Sequence, residues 1–274
     1  MYKNKTVLIT GGNGGLGKNL CLSYANYGAK IINLSRDIDK MKILNNKLNN
    51  INNKNNKFFS IDVSNYNDIL NVKNELIKEN VFPDIIINNA AGNFLCPFEN
   101  LTPNGWKRIN DIVLTGAFNI YHIFGKEVIS KKYNNSKTIF LNISTTYSEN
   151  SSALVIPSAV AKAGVDNLMK GLTVEWSKYG MRFVGIAPGP IAESGGASKL
   201  DPLGIFKKYN NYVNPSQRMC NPQEISDLAI FLTSEKADYI NGEIVRIDGG
   251  EWIKNQGEFS FLTNIPYYQR ILSK

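Results

Sequence analysis

Residues 5–17 read K-T-V-L-I-T-G-G-N-G-G-L-G, and this stretch decides the fold. It begins with a short apolar run of the kind that forms a buried parallel strand. Glycines follow at positions 11, 14, 15 and 17, and a helical pattern begins at about Leu16. Glycines between a strand and a helix let the backbone approach a pyrophosphate, which the first amides of the helix bind. The stretch therefore predicts a dinucleotide-binding β-α unit and makes a turn without a ligand the less favoured interpretation.

Outward from this unit, predicted strands and helices alternate along the chain. The strands are predicted at residues 5–10, 30–35, 57–62, 83–88, 138–143, 181–187 and 242–248. The helices are predicted at about residues 16–27, 37–48, 65–79, 103–131, 157–180, 202–212 and 222–233. Such alternation builds a parallel sheet through right-handed crossovers. We expect one α/β domain over residues 1–274, a Rossmann-type doubly wound sheet of about seven strands, with a small substrate lid at about residues 192–220.

Composition narrows the possible ligands. The 274 residues carry a formal net charge of +8, which suits an acidic ligand such as a dinucleotide or an acyl-CoA. Because no cluster of five or more basic residues is present, we expect no nucleic-acid partner. Three scattered cysteines and a single histidine, His122, predict neither a metal site nor a Ser-His-Asp triad. We expect no membrane span, and with no visible targeting signal the compartment stays open.

Residues 142–164 read N-I-S-T-T-Y-S-E-N-S-S-A-L-V-I-P-S-A-V-A-K-A-G, a strand end, a polar loop and the start of a helix. Together with the glycine-rich turn, this segment resembles the active-site segment of the short-chain dehydrogenases/reductases, whose signature is Y-x-x-x-K. Lys162 holds the lysine position, but Ser158 stands where the family has its tyrosine. The resemblance therefore implies either an inactive protein or an acid that has moved.

A second departure favours a moved acid. In D-I-V-L-T-G, residues 111–116, Val113 stands where the family has a catalytic asparagine. Asn93 follows the fourth predicted strand and Tyr147 follows the fifth. Because the carboxyl ends of parallel strands open into one crevice, these two residues are candidate replacements for the missing pair.

The end of strand two distinguishes between the two nicotinamide cofactors. NAD sites place a carboxylate there for the ribose hydroxyls, whereas this chain has Ser35 and Arg36. A guanidinium can pair with a 2′-phosphate, so we expect NADPH, with Ser35 as a helper donor and Asp37 as a helix N-cap. With the residues that the resemblance adds, the predicted cofactor site consists of Gly11, Asn13, Gly14, Gly15, Leu16, Gly17, Ser35, Arg36, Asp62, Val63, Lys162, Pro188, Gly189, Pro190 and Ile191.

Further motifs resemble one branch of that family, the mitochondrial-type 2,4-dienoyl-CoA reductases. They include A-A-G-N-F at 90–94, W-K-x-x-x-D-I-V-L at 106–114, P-S-A-x-A-K-A-G at 157–164 and D-G-G-E at 248–251. The resemblance covers about residues 5–258 and implies NADPH-dependent reduction of 2,4-dienoyl-CoA to trans-3-enoyl-CoA in β-oxidation of unsaturated fatty acids. It also implies a homotetramer and a mitochondrial location.

The same resemblance assigns roles by position. Tyr147 and Asn93 would hydrogen-bond the thioester oxygen of the substrate. Lys162 would bind the nicotinamide ribose, and Ser158 would fill the vacated position without transferring a proton. The predicted acyl-CoA contacts are Ser64, Phe94, Thr102 and Lys199. Ordinary roles compete with three of these: a core aromatic for Phe94, an N-cap for Thr102 and a loop charge for Lys199. Another enoyl or carbonyl reductase and a catalytically silent NADP-binding protein stay open as alternatives.

Overall fold

The structure, a computed structural model, describes residues 2–52, 55–130, 137–192, 201, 204–205, 208–209 and 214–264. Its strands are β1 Thr6–Thr10, β2 Lys30–Ser35, β3 Lys57–Ser60, β4 Ile85–Asn88, β5 Thr138–Ile143, β6 Met181–Pro188 and β7 Ile244–Ile247. Its α-helices include α1 Gly15–Asn26, α2 Ile38–Ile51, α3 Tyr66–Lys78, α4 Pro103–Asn110, α5 Gly116–Ile129, α6 Tyr147–Asn150, α7 Ile156–Trp176, α8 Pro222–Leu232 and α9 Glu251–Gln256. The strands form one parallel sheet of seven in the order β3-β2-β1-β4-β5-β6-β7, which confirms the predicted fold class.

The two faces of the sheet carry separate apolar cores because successive side chains of a strand point in opposite directions. In β1, Val7 and Ile9 pack into one core and Leu8 packs into the other, and all three are fully buried. Helices α1, α2 and α8 supply the first core, and α3, α5 and α7 supply the second. Burial on both faces explains why the strands read as continuous apolar runs.

The strand order places a crevice in the middle of the sheet. From β1 the chain builds towards one edge through β2 and β3, and then returns to build the other half from β4. Where the order reverses, the connections on either side diverge and leave an opening beyond the carboxyl ends of the strands. The glycine-rich turn after β1 and the segment after β4 lie on either side of this opening.

One predicted helix, residues 103–131, is two helices joined by a π-helical turn, Asp111–Thr115. Helix α5 begins at Gly116, where a Cβ would lie 2.8 Å from Cγ2 of Val63. Asn119 donates to the Val63 carbonyl at 2.9 Å, one helical turn later. These close contacts fix the start of α5, and the wider turn accommodates the extra residue before it.

The other differences from prediction concern short elements. Strands β3, β4 and β7 are shorter than predicted. The helix predicted over residues 157–180 ends at Trp176 as α7, and a 3-10 turn, Ser177–Tyr179, follows it. Helix α6 lies in the segment predicted to be a polar loop, and it stops where Ser151 adopts a φ of 65°. Helix α9 was not expected. Most of the small helix predicted at residues 202–212, and much of the predicted lid, lies outside the described residues.

Two further features of the described residues concern membranes and metals. None of their helices combines the length and the apolar character needed to cross a bilayer. No group of three or more His, Cys, Asp or Glu side chains in this part of the chain is arranged to hold a metal ion. The three cysteines, Cys21, Cys96 and Cys220, are free thiols.

Two glycines in helix interiors provide a test of the packing. A Cβ at Gly125 in α5 would lie 2.2 Å from Cζ3 of Trp176, whereas no atom of the described residues lies within 4 Å of a Cβ at Gly171 in α7. We expect Gly125→Ala to lower the free energy of unfolding by about 1–3 kcal/mol, because the indole must move. Gly171→Ala should raise it by up to about 1 kcal/mol through helix propensity. Urea denaturation measures both changes, and equal effects would contradict the packing described.

Candidate active site

A cleft of about 960 Å³ opens at the carboxyl ends of β1, β4, β5 and β6. Its lining includes every residue predicted to bind the cofactor or to act in catalysis: Gly11, Asn13, Gly14, Gly15, Leu16, Gly17, Ser35, Arg36, Asp62, Val63, Asn93, Tyr147, Ser158, Lys162, Pro188, Gly189, Pro190 and Ile191. Residues far apart in the chain therefore meet in a single crevice.

Backbone lines the cleft at the glycine-rich turn. Gly11 has a φ of 69°, a conformation that other residues rarely adopt. A Cβ at Gly17 would lie 2.2 Å from the Gly11 carbonyl oxygen, whereas one at Gly14 would meet no atom closer than 3.8 Å. The N-cap residue of α1 is Gly14, which has no side chain with which to cap the helix. The first amides of α1 are thus available to a pyrophosphate, and the residues present fit a dinucleotide.

Beneath this turn, the fully buried carboxamide of Asn33 in β2 joins the loop to the sheet. Its Oδ1 accepts from the Gly12 N–H at 3.1 Å and from the Ser35 hydroxyl at 2.9 Å. Its Nδ2 donates to Oδ1 of Asn13 at 2.6 Å. Asn13 in turn donates from Nδ2 to the Asp37 carbonyl at 2.7 Å. Asn13 and Ser35 therefore shape the cleft through bonds within the protein, and the Ser35 proton is already donated to Asn33.

Two cations stand at the end of β2. The Arg36 side chain is 61% exposed, and its Nη1 lies 3.9 Å from Oδ2 of Asp62. Asp37 caps α2, as predicted, and its carboxylate pairs with Lys40 at 3.0 Å. Partial burial acts to raise the pKa of Asp62, but hydrogen bonds from Ser64 and the charge of Arg36 hold that pKa below its usual value. Arg36 and Lys40 give this end of the cleft a positive charge that suits a phosphate.

Tyr147, Asn93 and Ser158 form a hydrogen-bonded cluster within the cleft. The Phe94 N–H donates to Oδ1 of Asn93 at 2.9 Å, which orients the carboxamide because only its oxygen can accept. Nδ2 of Asn93 then donates to the Tyr147 hydroxyl at 3.1 Å. The Tyr147 hydroxyl and the Ser158 Oγ are 3.4 Å apart. Because that contact is long, the phenol can turn its proton towards a ligand oxygen at little cost.

Val113 lies elsewhere. Its side chain is 1% exposed and belongs to the core beneath α5 and α7, so it does not line the cleft. The family's asparagine position is therefore occupied by an apolar group in this chain. An amide reaches the cleft from Asn93 instead, on the segment that follows β4.

Lys162 is buried beside the cluster, and its amine donates to the Ile143 carbonyl at the end of β5. Burial lowers the pKa of Lys162 to about 8, and the nearby Asp166 carboxylate acts in the opposite direction. Because the pKa of Lys162 is about 8, an anion that enters the cleft changes how far the amine is protonated.

The Asp166 carboxylate joins helix α7 to β5. Its Oδ1 accepts from Nδ2 of Asn142 at 2.9 Å, and its Oδ2 accepts from the Ser144 hydroxyl at 2.6 Å. Nδ2 of Asn88 donates to Oδ1 of Asn142 at 3.1 Å, which adds β4 to the network. The three elements that carry the cluster are thus fixed together by buried polar groups.

The residues predicted to bind acyl-CoA do not line the cleft in the described part of the chain. Ser64 donates from both its N–H and its hydroxyl to Oδ1 of Asp62, at 3.0 and 2.8 Å. Thr102 caps α4 by accepting from an N–H of its first turn at 3.1 Å. Phe94 packs against the second core. Lys199 lies outside the described residues.

Other cleft residues were not identified from the sequence. They include Lys40, one turn past Asp37, and a group that follows β6 and β7: Met219, Trp252, Asn255 and Gln256. The position of Lys40, in a predicted helix and close to Arg36, could have identified it from the sequence. No such signal marks the later group, because the helix that presents Trp252 was not predicted.

Comparisons with known proteins place the chain among reductases. The family model described as Enoyl-(Acyl carrier protein) reductase matches residues 11–251. A Bacillus subtilis protein named as a probable 2,4-dienoyl-CoA reductase, (2E)-enoyl-CoA-producing, is 39% identical over 92% of this chain and 98% of its own length. A Caenorhabditis elegans protein named as a probable 2,4-dienoyl-CoA reductase, (3E)-enoyl-CoA-producing, is 34% identical over 93% and 83%. The crystal structure of a short-chain dehydrogenase from Bacillus anthracis has a TM-score of 0.84 at 37% identity and covers 92% of this chain and 98% of that one.

The lowered pKa of Lys162 predicts a pH-dependent stability. Below pH about 8 the amine is protonated in both the folded and the unfolded chain, and its burial then destabilises the fold. Between about 8 and 10.5 the unfolded chain binds the extra proton, so stability should rise with pH. We expect the free energy of unfolding relative to Lys162→Met to rise by about 3 kcal/mol over that window. Urea denaturation of both proteins at several pH values measures the difference, and a constant difference would refute the shift.

Proposed function

The chain belongs to the short-chain dehydrogenase/reductase family of oxidoreductases, and we propose that it is an NADPH-dependent 2,4-dienoyl-CoA reductase. Its reaction would yield a trans-3-enoyl-CoA and would serve the β-oxidation of unsaturated fatty acids. The observation that carries this proposal is the hydrogen bond between Asn93 and Tyr147, 3.1 Å long, beside the serine that replaces the family's tyrosine. The two relatives named as probable 2,4-dienoyl-CoA reductases support the same substrate class for this chain.

The position of the acid fits a conjugated substrate. A ketone reductase needs a proton donor at the oxygen bonded to the carbon that receives hydride. In the Y-x-x-x-K signature this donor is the tyrosine, whose position Ser158 occupies in this chain. In a 2,4-dienoyl thioester the receiving δ-carbon and the oxygen that gains charge are separated by several bonds. A donor for that oxygen has to lie farther from the nicotinamide. The Tyr147 hydroxyl lies 3.4 Å from the Ser158 Oγ but comes from a different segment than the family's tyrosine, which supports a relocated donor.

The chemistry then divides between cofactor and protein. When bound, NADPH supplies a hydride to the δ-carbon of the dienoyl group. As electrons move through the conjugated system, negative charge collects on the thioester oxygen as a dienolate. Tyr147 and Asn93 would each donate a hydrogen bond to that oxygen, and a well-placed donor of this kind contributes about 3–4 kcal/mol. Asn93 is suited to the role because its carboxamide is already oriented by the Phe94 N–H.

Protonation completes the reaction. The α-carbon of the dienolate takes a proton, either from the Tyr147 hydroxyl or from water, and the double bond then lies between the β- and γ-carbons. Ser158 is within 3.4 Å of the phenol and would hydrogen-bond it without transferring the proton to substrate. Lys162 would bind the nicotinamide ribose, and its charge would favour any anion formed nearby.

NADPH is favoured over NADH by charge at the end of β2. Arg36 and Lys40 line the cleft there, and Lys40 neutralises the neighbouring Asp37. The Ser35 hydroxyl supports this site indirectly, through Asn33, because its proton is committed within the protein. The guanidinium of Arg36 is exposed enough to meet a 2′-phosphate.

A second candidate concerns the product. The Bacillus subtilis relative is named for a (2E)-enoyl-CoA product, which requires protonation at the γ-carbon after the same hydride transfer. The donors on the thioester oxygen would act alike in both reactions. The homotetramer implied by the family resemblance stays a prediction.

Tyr147→Phe tests the proposed acid. With NADPH and a 2,4-dienoyl-CoA, followed by NADPH absorbance, we expect the wild-type protein to turn over and the variant to lose about 10²–10³-fold in kcat. The affinity for NADPH should change by less than about twofold, since the phenol has no place in cofactor binding. Tyr239→Phe, at a fully exposed tyrosine outside the cleft, is the matched control. An unaffected rate in Tyr147→Phe would disprove the role, and no oxidation with any dienoyl-CoA would disprove the function.

Arg36→Ala tests the cofactor. Removing one charged partner of a phosphate should raise the Kd for NADPH by about 10–100-fold and leave the Kd for NADH nearly unchanged. Lys42→Ala, on the helix α2 that follows Arg36 but outside the cleft lining, is the control and should change neither. Fluorescence titration with both cofactors measures the effect. Equal losses for NADPH and NADH would argue against a 2′-phosphate site at Arg36.

A further inference from the structure

Two parts of the cleft lining lie outside the predicted cofactor and catalytic residues, and we call them its two walls. One wall is the end of α6 with the segment after it, where Asn150 and Ser152 line the cleft. The other wall is α9, which contributes Trp252 and Gln256. Met219 lies in the lining of the same cleft. None of these residues belongs to the predicted cofactor site, so they are candidates for contact with a substrate.

Arg246 joins the two walls from behind the cleft. It stands on β7 and does not line the cleft itself. Its Nη2 lies 2.6 Å from Oε2 of Glu149, on the helix that begins with Tyr147. Its Cζ lies 4.4 Å from the centroid of the Trp252 ring. One guanidinium therefore contacts both the helix of the proposed acid and the indole of the opposite wall.

These contacts restrict the Trp252 indole. A guanidinium over an aromatic face is attracted by the ring's quadrupole and favours a parallel arrangement. The backbone of Trp252 is fixed as well, because its N–H donates to Oδ2 of Asp248 at 2.8 Å. The exposed ion pair with Glu149 adds little stability by itself. The ion pair acts instead on the position of the Arg246 guanidinium, which it keeps between α6 and α9.

The chemistry of this part of the cleft fits an acyl chain. Its polar residues include Asn150 and Gln256, and its apolar side chains include Met219 and Trp252. A CoA ester reacting at Tyr147 carries an apolar tail on one side of the dienoyl group. Apolar surface is the only lining that gains free energy by covering that tail.

We propose that Trp252 is a specificity-determining residue that limits the length of the acyl chain, and that Arg246 is the positioning residue that holds its indole in place. This inference rests on the proposed function, because it takes the substrate to be an acyl-CoA. Within that function it names a wall of the acyl site, formed by α9 and fixed through β7 to the helix of Tyr147.

The test compares chain lengths. The kcat/KM values for 2,4-hexadienoyl-, 2,4-decadienoyl- and 2,4-tetradecadienoyl-CoA are measured for the wild-type protein and Trp252→Ala. We expect the ratio of the longest to the shortest substrate to rise at least about tenfold in the variant, because an opened wall admits more methylenes. A ratio that stays the same or falls overturns the proposal. Ile253→Ala, on an exposed position of the same helix, is the matched control and should leave the ratio unchanged.

Variants of Arg246 test the positioning role. Arg246→Met keeps the length of the stem but loses the charge, and it should shift the ratio in the same direction by about threefold. Arg246→Lys restores a cation and should return the ratio towards the wild-type value. If Arg246→Met lowers the thermal midpoint without moving the ratio, the residue is only structural and the positioning role is overturned.

Calorimetry with saturated acyl-CoAs separates this inference from the proposed function. Hexanoyl- and tetradecanoyl-CoA bind without reacting, so their Kd values can be measured in the presence of NADP⁺ whether or not any dienoyl-CoA is reduced. We expect Trp252→Ala to strengthen binding of the longer ester relative to the shorter one by a similar factor. Unchanged relative affinities overturn the acyl wall, whereas selective tightening without turnover supports the wall and counts only against the reaction.

Discussion

The site depends on the hydrogen bonds that the buried Asp166 carboxylate accepts. It accepts from Asn142 at the end of β5 and from Ser144 just beyond it. Helix α7, which carries both Asp166 and Lys162, is thereby fixed to the strand that leads to Tyr147. A buried carboxylate without these donors would destabilise the fold, so the bonds also specify how α7 lies on the sheet. The position of Tyr147 relative to Lys162 follows from this arrangement.

The position of Tyr147 fits the absence of a tyrosine at position 158. Ser158 has a smaller side chain than the family's tyrosine, and Asn93 and Tyr147 supply two hydrogen-bond donors beside it. A substrate whose charge collects several bonds from the hydride acceptor needs this geometry. Arg246 links Glu149, on the helix that begins with Tyr147, to the indole of Trp252 in the proposed acyl wall. Acid and acyl wall are therefore parts of one framework.

Much of this could be predicted from the sequence, for reasons that are local. A glycine-rich turn between a strand and a helix has few other uses, and residues after neighbouring parallel strands must meet, which brought Asn93 to Tyr147. The π-helical turn at Asp111–Thr115 could not be predicted, because it arises from packing of Gly116 against Val63, distant in sequence. The bonds of Asn33 under the loop and the position of Trp252 likewise depend on tertiary contacts that leave no periodic pattern.

We propose that hydride goes to the δ-carbon of a 2,4-dienoyl thioester and that charge collects on the remote thioester oxygen, where Tyr147 and Asn93 donate hydrogen bonds. Isotope labelling tests it most directly. A 2,4-dienoyl-CoA is incubated either with NADPH deuterated at C4 of the nicotinamide or with NADPH in D₂O, and the product is examined by NMR. The account predicts deuterium from the cofactor at the δ-carbon and deuterium from solvent at the α-carbon. Cofactor deuterium at the β-carbon, or no transfer to the dienoyl group, would contradict it.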